Sequence, residues 1–460
     1  MQENKIQTEA QLKKERISWY FYDFANSVFS TSVITVFLGP YFTSIAENAA
    51  DSSGDIDLFF FRIAAGSFYP LIVSISVILQ VIFLPFIASI ADNTRYKKQL
   101  LFLSAYIGAF ATMGLFFVEG TNYLLGGGLF IIANINFGLS CTIYNSYLNH
   151  ISTPQTPINS EVCSTVDKKI TNKKITTDSI SSIGWAFGYV GGGVLLVLNL
   201  FFFNNAENYG VSTDLAIRIC LASAGVWWAI FTLIPLKYLR NIIPKKSLQI
   251  NKNIAKQGFT SLIKTIKEAQ KYPQTLLFLL AYMLYNDGVQ SVIALASQFG
   301  SAELGLEIDV LITAILLVQV VAFLGSLFFN LVTKWLTTLS TLQITIFIWI
   351  LAILFAYFFM YSASDFYFVC CVVGFVMGGT QALSRSIYSQ LIPVGKEAEY
   401  FSIYELSEKG TSWLGPLIFA LVYNFTTSYR FAIISLVSFF VLGFILLFKF
   451  NFEQGKRDAC

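Results

Sequence analysis

Histidine occurs once in this 460-residue chain, at His150, and charged residues make up only 12% of it. A single histidine at the end of an apolar run excludes most membrane enzymes, because metal hydrolases and histidine-activated nucleophiles need several such groups together. The six cysteines, Cys141, Cys163, Cys220, Cys370, Cys371 and Cys460, show no C-x-x-C spacing, and most lie inside apolar runs. Neither a disulfide framework nor a zinc site is implied. There is no Walker-type glycine loop, so no nucleotide, cofactor or metal is expected. A net charge of +3 is too small to suggest a nucleic-acid partner. The scarcity of charge has the larger consequence. With 55% hydrophobic and 16% aromatic residues, the chain has too little polar surface to cover a soluble globule of its size and reads as an integral membrane protein. Residues 1–17 carry no separate apolar h-region, so the first apolar run is expected to be retained as a span.

What is present is a succession of apolar runs of about 20 residues or more. Twelve are expected, over 19–45, 66–90, 100–118, 123–150, 179–203, 215–236, 274–299, 310–332, 339–361, 366–392, 400–425 and 429–450. With the amino terminus inside, one side collects Lys5, Lys13, Lys14, Arg16, Arg95, Lys97, Lys98, Lys168, Lys169, Lys173, Lys174 and the lysine-rich linker. The other side holds Arg62, Arg218 and Arg430 among many acids. This asymmetry places both termini in the cytoplasm, and one span more or fewer would put a lysine-rich loop on the wrong face. The long polar interval divides the chain into a cytoplasmic segment 1–18, a six-helix bundle 19–236, a linker 237–273, a second six-helix bundle 274–450 and a tail 451–460. The fold class is all-α. Within the linker, 259–270 reads as an amphipathic helix on the membrane surface. YDFANSVFS in the first run and YNDGVQSVI in the seventh are alike, which a parallel internal repeat predicts.

Polar groups inside apolar runs are costly and mark candidate sites. Asp23 and Asn26 share a helix face with Tyr22 and Ser30. Asp23 is expected to face inward; the alternative is a cap or a snorkelling group one turn inside the membrane. Asp287, flanked by Tyr285, Asn286, Gly288 and Gln290, is the most deeply placed carboxylate. In the eleventh run Glu405 and Lys409 are i, i+4 and can neutralise each other, with Glu408 beside them. Arg385, toward the inner end of the tenth run, is either a cytoplasmic gate or an interfacial anchor. Asn134 and Asn136 suit interhelical hydrogen bonds. For His150 an interfacial position is preferred to a proton relay.

Two short motifs resemble those of the major facilitator superfamily. ASIADNTRYKK, 88–98, is similar to its loop G-x-x-x-D-[RK]-x-G-[RK]-[RK], with Asp92, Lys97 and Lys98 in place, Arg95 nearby, and Ala88 and Asn93 departing. Such an acid can sit at a neighbouring helix amino terminus, pair with a basic residue and latch the two halves; the plainer reading is a positive-inside turn. GWAFGYVGGG, 184–193, follows the exporter-associated G-x-x-x-G-P-x-x-G-G except at Tyr189, and its stripe Gly184, Gly188, Gly192 permits close approach of another helix. WYFYDFANSVFSTSVITVFLGPYF, LAYMLYNDGVQSVI and the block 378–419 together look like the branch containing the fungal vacuolar amino-acid effluxers of autophagy and their bacterial relatives. The resemblance implies a twelve-helix transporter whose first, fourth, seventh and tenth helices line a central cavity. Asp23, Asn134, Asn136, Tyr144, Asn145, Asp287 and Arg385 would then meet there. Carboxylates would hold an ammonium group or a proton, and Lys409 or Arg385 a carboxylate.

The expectation is therefore a secondary transporter, not an enzyme, moving a small solute by alternating access, most economically an amino acid, by efflux and with proton coupling. Its partners are that solute, the bilayer and H+; a monomer in a bacterial inner membrane is expected, or in a vacuolar membrane if the source is eukaryotic. A polytopic enzyme built on an Asp23/Asp287 pair and a lipid flippase or drug exporter on the same fold are the alternatives.

Overall fold

The computed structural model describes residues 9–58, 61–152, 176–242, 244, 268, 270–409 and 414–459. Apolar runs become helices because a backbone in hydrocarbon must satisfy its own hydrogen bonds. Eleven helices among the described residues are long and apolar enough to cross a membrane. The eleventh crossing in chain order is made by two shorter helices, Glu397–Lys409 and Leu414–Thr426, on either side of 410–413, which lie outside the described residues. Most of the amphipathic stretch expected over 259–270 lies outside them as well.

Polar residues set the helix ends. Thr176, Ser212, Thr337 and Ser428 accept hydrogen bonds from first-turn amides of the fifth, sixth, ninth and twelfth spans, and Ser362 forms a capping box with Asp365 on the tenth. Pro273 opens the seventh span, Pro273–Ala302, at the position where its missing N–H costs nothing. The first span is longer than its apolar run, Glu9 to Ala49. Its inner extension is held by Arg16, which donates to the Ile151 carbonyl at 2.8 Å, and by Glu15, 3.3 Å from Arg240. Midway, Phe29–Phe37 is a π-helical stretch in which the Thr35 hydroxyl donates to Ser30 O, five residues back. Between the first two spans, Asp55–Leu58 and Phe61–Ala64 form an antiparallel hairpin that the sequence reading did not foresee.

The buried side chains fall into two clusters, one drawn chiefly from the first six spans around Trp19, Phe29 and Trp228, the other chiefly from the last six around Tyr285, Trp349 and Phe440. Packing repeats between them: the first span lies on the sixth as the seventh lies on the twelfth, the third on the fourth as the ninth on the tenth, and the second on the fourth as the eighth on the tenth. Across the seam, the fifth span meets the eighth and tenth, and the eleventh meets the second and fourth. Exposed apolar residues such as Ile78, Phe110, Phe201, Ile230, Val320 and Phe448 lie on the perimeter, where lipid replaces water. On the outer side Arg62 pairs with Asp51 and Asp57, Arg218 with Glu119 and Asp214, and Arg430 with Glu303, so each outer arginine is matched inside its own bundle.

Candidate functional site

Arg385 lies on the tenth span, Ala363–Ser389, and is 2% exposed. A guanidinium buried to that extent needs several acceptors and a counter-charge. It finds them in the opposite bundle. Nη1 donates to Asp23 Oδ2 at 3.1 Å and to Asn145 Oδ1 at 3.3 Å, Nε to Ser181 Oγ at 3.0 Å, and Nη2 to the Ser181 carbonyl at 2.8 Å. Three rings wall it in: Trp19 at 4.9 Å, Trp185 at 5.2 Å and Tyr144 at 5.9 Å from the guanidinium carbon. Trp19 is itself stacked on Tyr144 at 4.4 Å and donates to the Tyr144 carbonyl, so the cage is rigid.

The glycine stripe makes this fit. A Cβ at Gly184 would lie 2.7 Å from Asp23 Oδ2 and 2.9 Å from Arg385 Nη2. At Gly188 it would lie 2.6 Å from Ser27 Oγ, and at Gly192 2.9 Å from Thr31. All three face the first span, and Gly184 leaves the space in which the ion pair sits.

Of the other residues singled out, Asn145 joins the centre on both sides: while accepting from Arg385, it donates to Glu405 Oε1 at 2.9 Å. Glu405 thus meets the fourth span; the side chain of Lys409, its expected partner, lies outside the described residues. Tyr22 packs on Tyr144 at 4.9 Å, and Asn26 donates to Cys141 Sγ. Asn134 bonds Ser76 within its bundle and Asn136 bonds its own helix. Tyr285, Asp287 and Gln290 stand in the second bundle. Tyr285 shares a hydrogen with Ser384 at 2.6 Å, and Gln290 is half-buried. Asp287 is 1% exposed and lies beside Ser291 and Gly415, so its surroundings are not those of Asp23.

Nearer the cytoplasm, Asp92 sits at the amino terminus of Glu397–Lys409. Oδ2 accepts from the Glu399 amide at 2.9 Å, and Oδ1 from Lys97 Nζ at 2.9 Å, both side chains being nearly inaccessible. Arg95 is exposed against the Tyr96 ring, and Lys98 is half-buried near Phe102. His150, at the end of the fourth span, stands 3.6 Å from Glu397.

Several further contacts cross the seam. Asp178 accepts from Ser386 and from Thr338, Tyr189 donates to Gln381, Ser181 to the Ala382 carbonyl, Asn149 to the Ser389 carbonyl, and Ser179 to Asn330. Their signal in the sequence is small or polar residues, chiefly toward the inner ends of the fourth, fifth, eighth, ninth and tenth spans. All these bridges lie in the cytoplasmic half of the spans. In this conformation the two bundles are locked together on that side.

Comparison with known proteins agrees with this architecture. Residues 11–460 match the model of the family described as vacuole effluxer Atg22 like. The chain is 26% identical over 448 residues to the uncharacterised MFS-type transporter YxiO of Bacillus subtilis, covering 97% of this chain and 96% of that one. It is 26% identical to autophagy-related protein 22 of Saccharomyces cerevisiae, covering 99% and 96%. Among solved structures it resembles the human organic anion transporter MFSD10, with a TM-score of 0.64 at 11% identity over 96% of this chain and 100% of that one. It resembles the transporter FucP in its outward conformation equally, with a TM-score of 0.64 at 12% identity, over 96% and 98%. At such identities these likenesses concern the fold. It is a multi-pass membrane transporter rather than an enzyme, and the chain belongs to the Atg22-like vacuole effluxer family of the major facilitator superfamily.

Proposed function

We propose that this transporter moves a small zwitterion, an amino acid or a close relative, by efflux, with proton coupling and alternating access, as a monomer of two bundles, 19–236 and 274–450. One observation carries the reading: Asp23 and Arg385 meet across the seam inside an aromatic cage. A zwitterion offers the same two charges. Its ammonium group can take Asp23 and its carboxylate can take Arg385, so solute exchanges for the internal pair without leaving a buried charge bare. The family's description as effluxers supports the direction. Asp92 and Lys97 act as the cytoplasmic latch, and Arg95 and Lys98 stand outside it. Asn145 and Glu405 pass movement of the solute site to the eleventh span.

Thermal unfolding of the purified protein against panels of amino acids, sugars and nucleosides tests this. A solute that binds only the folded form stabilises it by about 2.7 kcal/mol at a hundred times its dissociation constant. Amino acids should raise the unfolding temperature of the wild type and not of Asp23→Asn or Arg385→Gln. A response confined to sugars or nucleosides, or one that survives both substitutions, rejects the zwitterion.

A further inference from the structure

The two halves carry the same device with one part missing. In the first span Asp23, Asn26, Ser27 and Val28 follow the spacing of Asp287, Gln290, Ser291 and Val292 in the seventh. In each half the serine hydroxyl donates to the carbonyl of its aspartate, Ser27 at 2.7 Å and Ser291 at 2.6 Å. In each half a glycine of the facing helix closes on that pair. Gly188 of the fifth span meets Ser27, and Gly415 of the eleventh meets Ser291, where a Cβ would fall 1.8 Å from Oγ and 3.3 Å from Asp287 Oδ2. The difference is the counter-ion. Asp23 receives Arg385 from the tenth span, whereas the corresponding dipeptide of the fourth span, Asn145-Ser146 against Arg385-Ser386, offers a neutral amide.

Among the described residues no basic side chain pairs with Asp287: it is 1% exposed, its carboxylate oxygens have no side-chain hydrogen-bond partner, and the Gly415 amide leans on it from the eleventh span. The groups around it are otherwise engaged. Ser291 is spent on the backbone, Glu408 of the eleventh span accepts from Tyr282, Asn286 donates to the Glu408 carbonyl, and Tyr285 is bound to Ser384 of the tenth. The twelfth span presents Phe440 and Gly443. An ionised carboxylate in such surroundings is costly enough that the group neutralises instead. With Gly415 of the eleventh span packed against Ser291 and the carboxylate, a proton is the smallest group that neutralises it.

Resting on the transport reading above, we propose that Asp287 is the proton-coupling group and is protonated in this cytoplasmically closed conformation, while Asp23 serves the solute. The O–H bond forms when the carboxylate meets water on one side of the membrane and breaks when it meets water on the other, so water supplies and receives the proton.

Infrared difference spectroscopy on the reconstituted protein tests the protonation without any knowledge of the solute. The wild type at neutral pH should show a protonated-carboxyl C=O band that is absent from Asp287→Asn and retained in Asp23→Asn. A band unaffected by Asp287→Asn, or a carboxylate signal lost in its place, overturns the proposal. In proteoliposomes given a radiolabelled amino-acid mixture, uptake with an imposed pH gradient divided by uptake without it should exceed 1 in the wild type and fall to 1 in Asp287→Asn; an unchanged ratio overturns the proposal too. Should the variant transport nothing, the infrared result decides. A wild type that moves no amino acid counts against the zwitterion reading and leaves the infrared result standing on its own.

Discussion

At the scale of single residues, Arg385 decides most. Its ion pair with Asp23 is buried on both sides, and removing one partner of such a pair leaves a bare charge, at a cost of about 3 to 5 kcal/mol. Arg385→Gln and Asp23→Asn should each lower the unfolding temperature markedly, and the double variant should be less destabilised than the sum of the two, a coupling read from a double-mutant cycle. Additive effects would mean that the pair contributes little in the membrane. Arg385→Lys keeps the charge but loses the fork that reaches Ser181 and Asn145, so it should recover only part of the loss. Both members were legible in the sequence as polar groups in apolar runs. Their pairing was not: they lie 362 residues apart, no spacing rule connects them, and the cage of Trp19 and Trp185 looks in sequence like any apolar helix face.

At the scale of elements, glycines set how closely helices approach. A Cβ at Gly191 would fall 2.2 Å from the Phe24 carbonyl oxygen, and one at Gly378 2.1 Å from that of Ala322, both rigid backbone, whereas Gly128 has nothing within 4 Å. Alanine at Gly191 or Gly378 should therefore cost at least the roughly 1 to 3 kcal/mol of an overpacked core. Gly128→Ala should be neutral, or stabilising by up to about 1 kcal/mol through helix propensity. Thermal unfolding of the three variants in detergent separates them; similar values for all three would mean that the helices separate freely. The spans were legible because hydrocarbon demands long apolar runs, and the stripe 184, 188, 192 announced a close neighbour without saying which. The hairpin after the first span was missed because its strands, of four residues each, are too short for alternation to stand out. The extension of the first helix back to Glu9 was missed because it rests on Arg16 and Glu15 finding distant partners, and not on apolar periodicity.

At the scale of the molecule, the seam between bundles is fastened on the cytoplasmic side, and Asp92 is one of its clasps. Asp92→Asn loses the charge that holds Lys97 and the helix amino terminus at Glu399. A single cysteine placed at Ser389, buried at that end, should then be labelled several-fold faster from the cytoplasm, and Lys97→Met should act alike. Arg95→Ala should change nothing, because the Arg95 side chain is exposed and lies against the Tyr96 ring, and its contact with Asn241 is through the backbone carbonyl, which alanine keeps. Equal labelling in all four proteins would reduce the motif to a topogenic turn. The wide-turn stretch Phe29–Phe37 bears on the same motion from the other end. Drawing it in by one residue to ordinary α-helical winding would swivel everything from Leu38 outward by about 100°, while Asp23, a turn below, stays put. The outer mouth is thus set by the register of that stretch, and the buried Leu38, Phe42 and Ile45 hold the helix beyond it in the one rotation the core accepts.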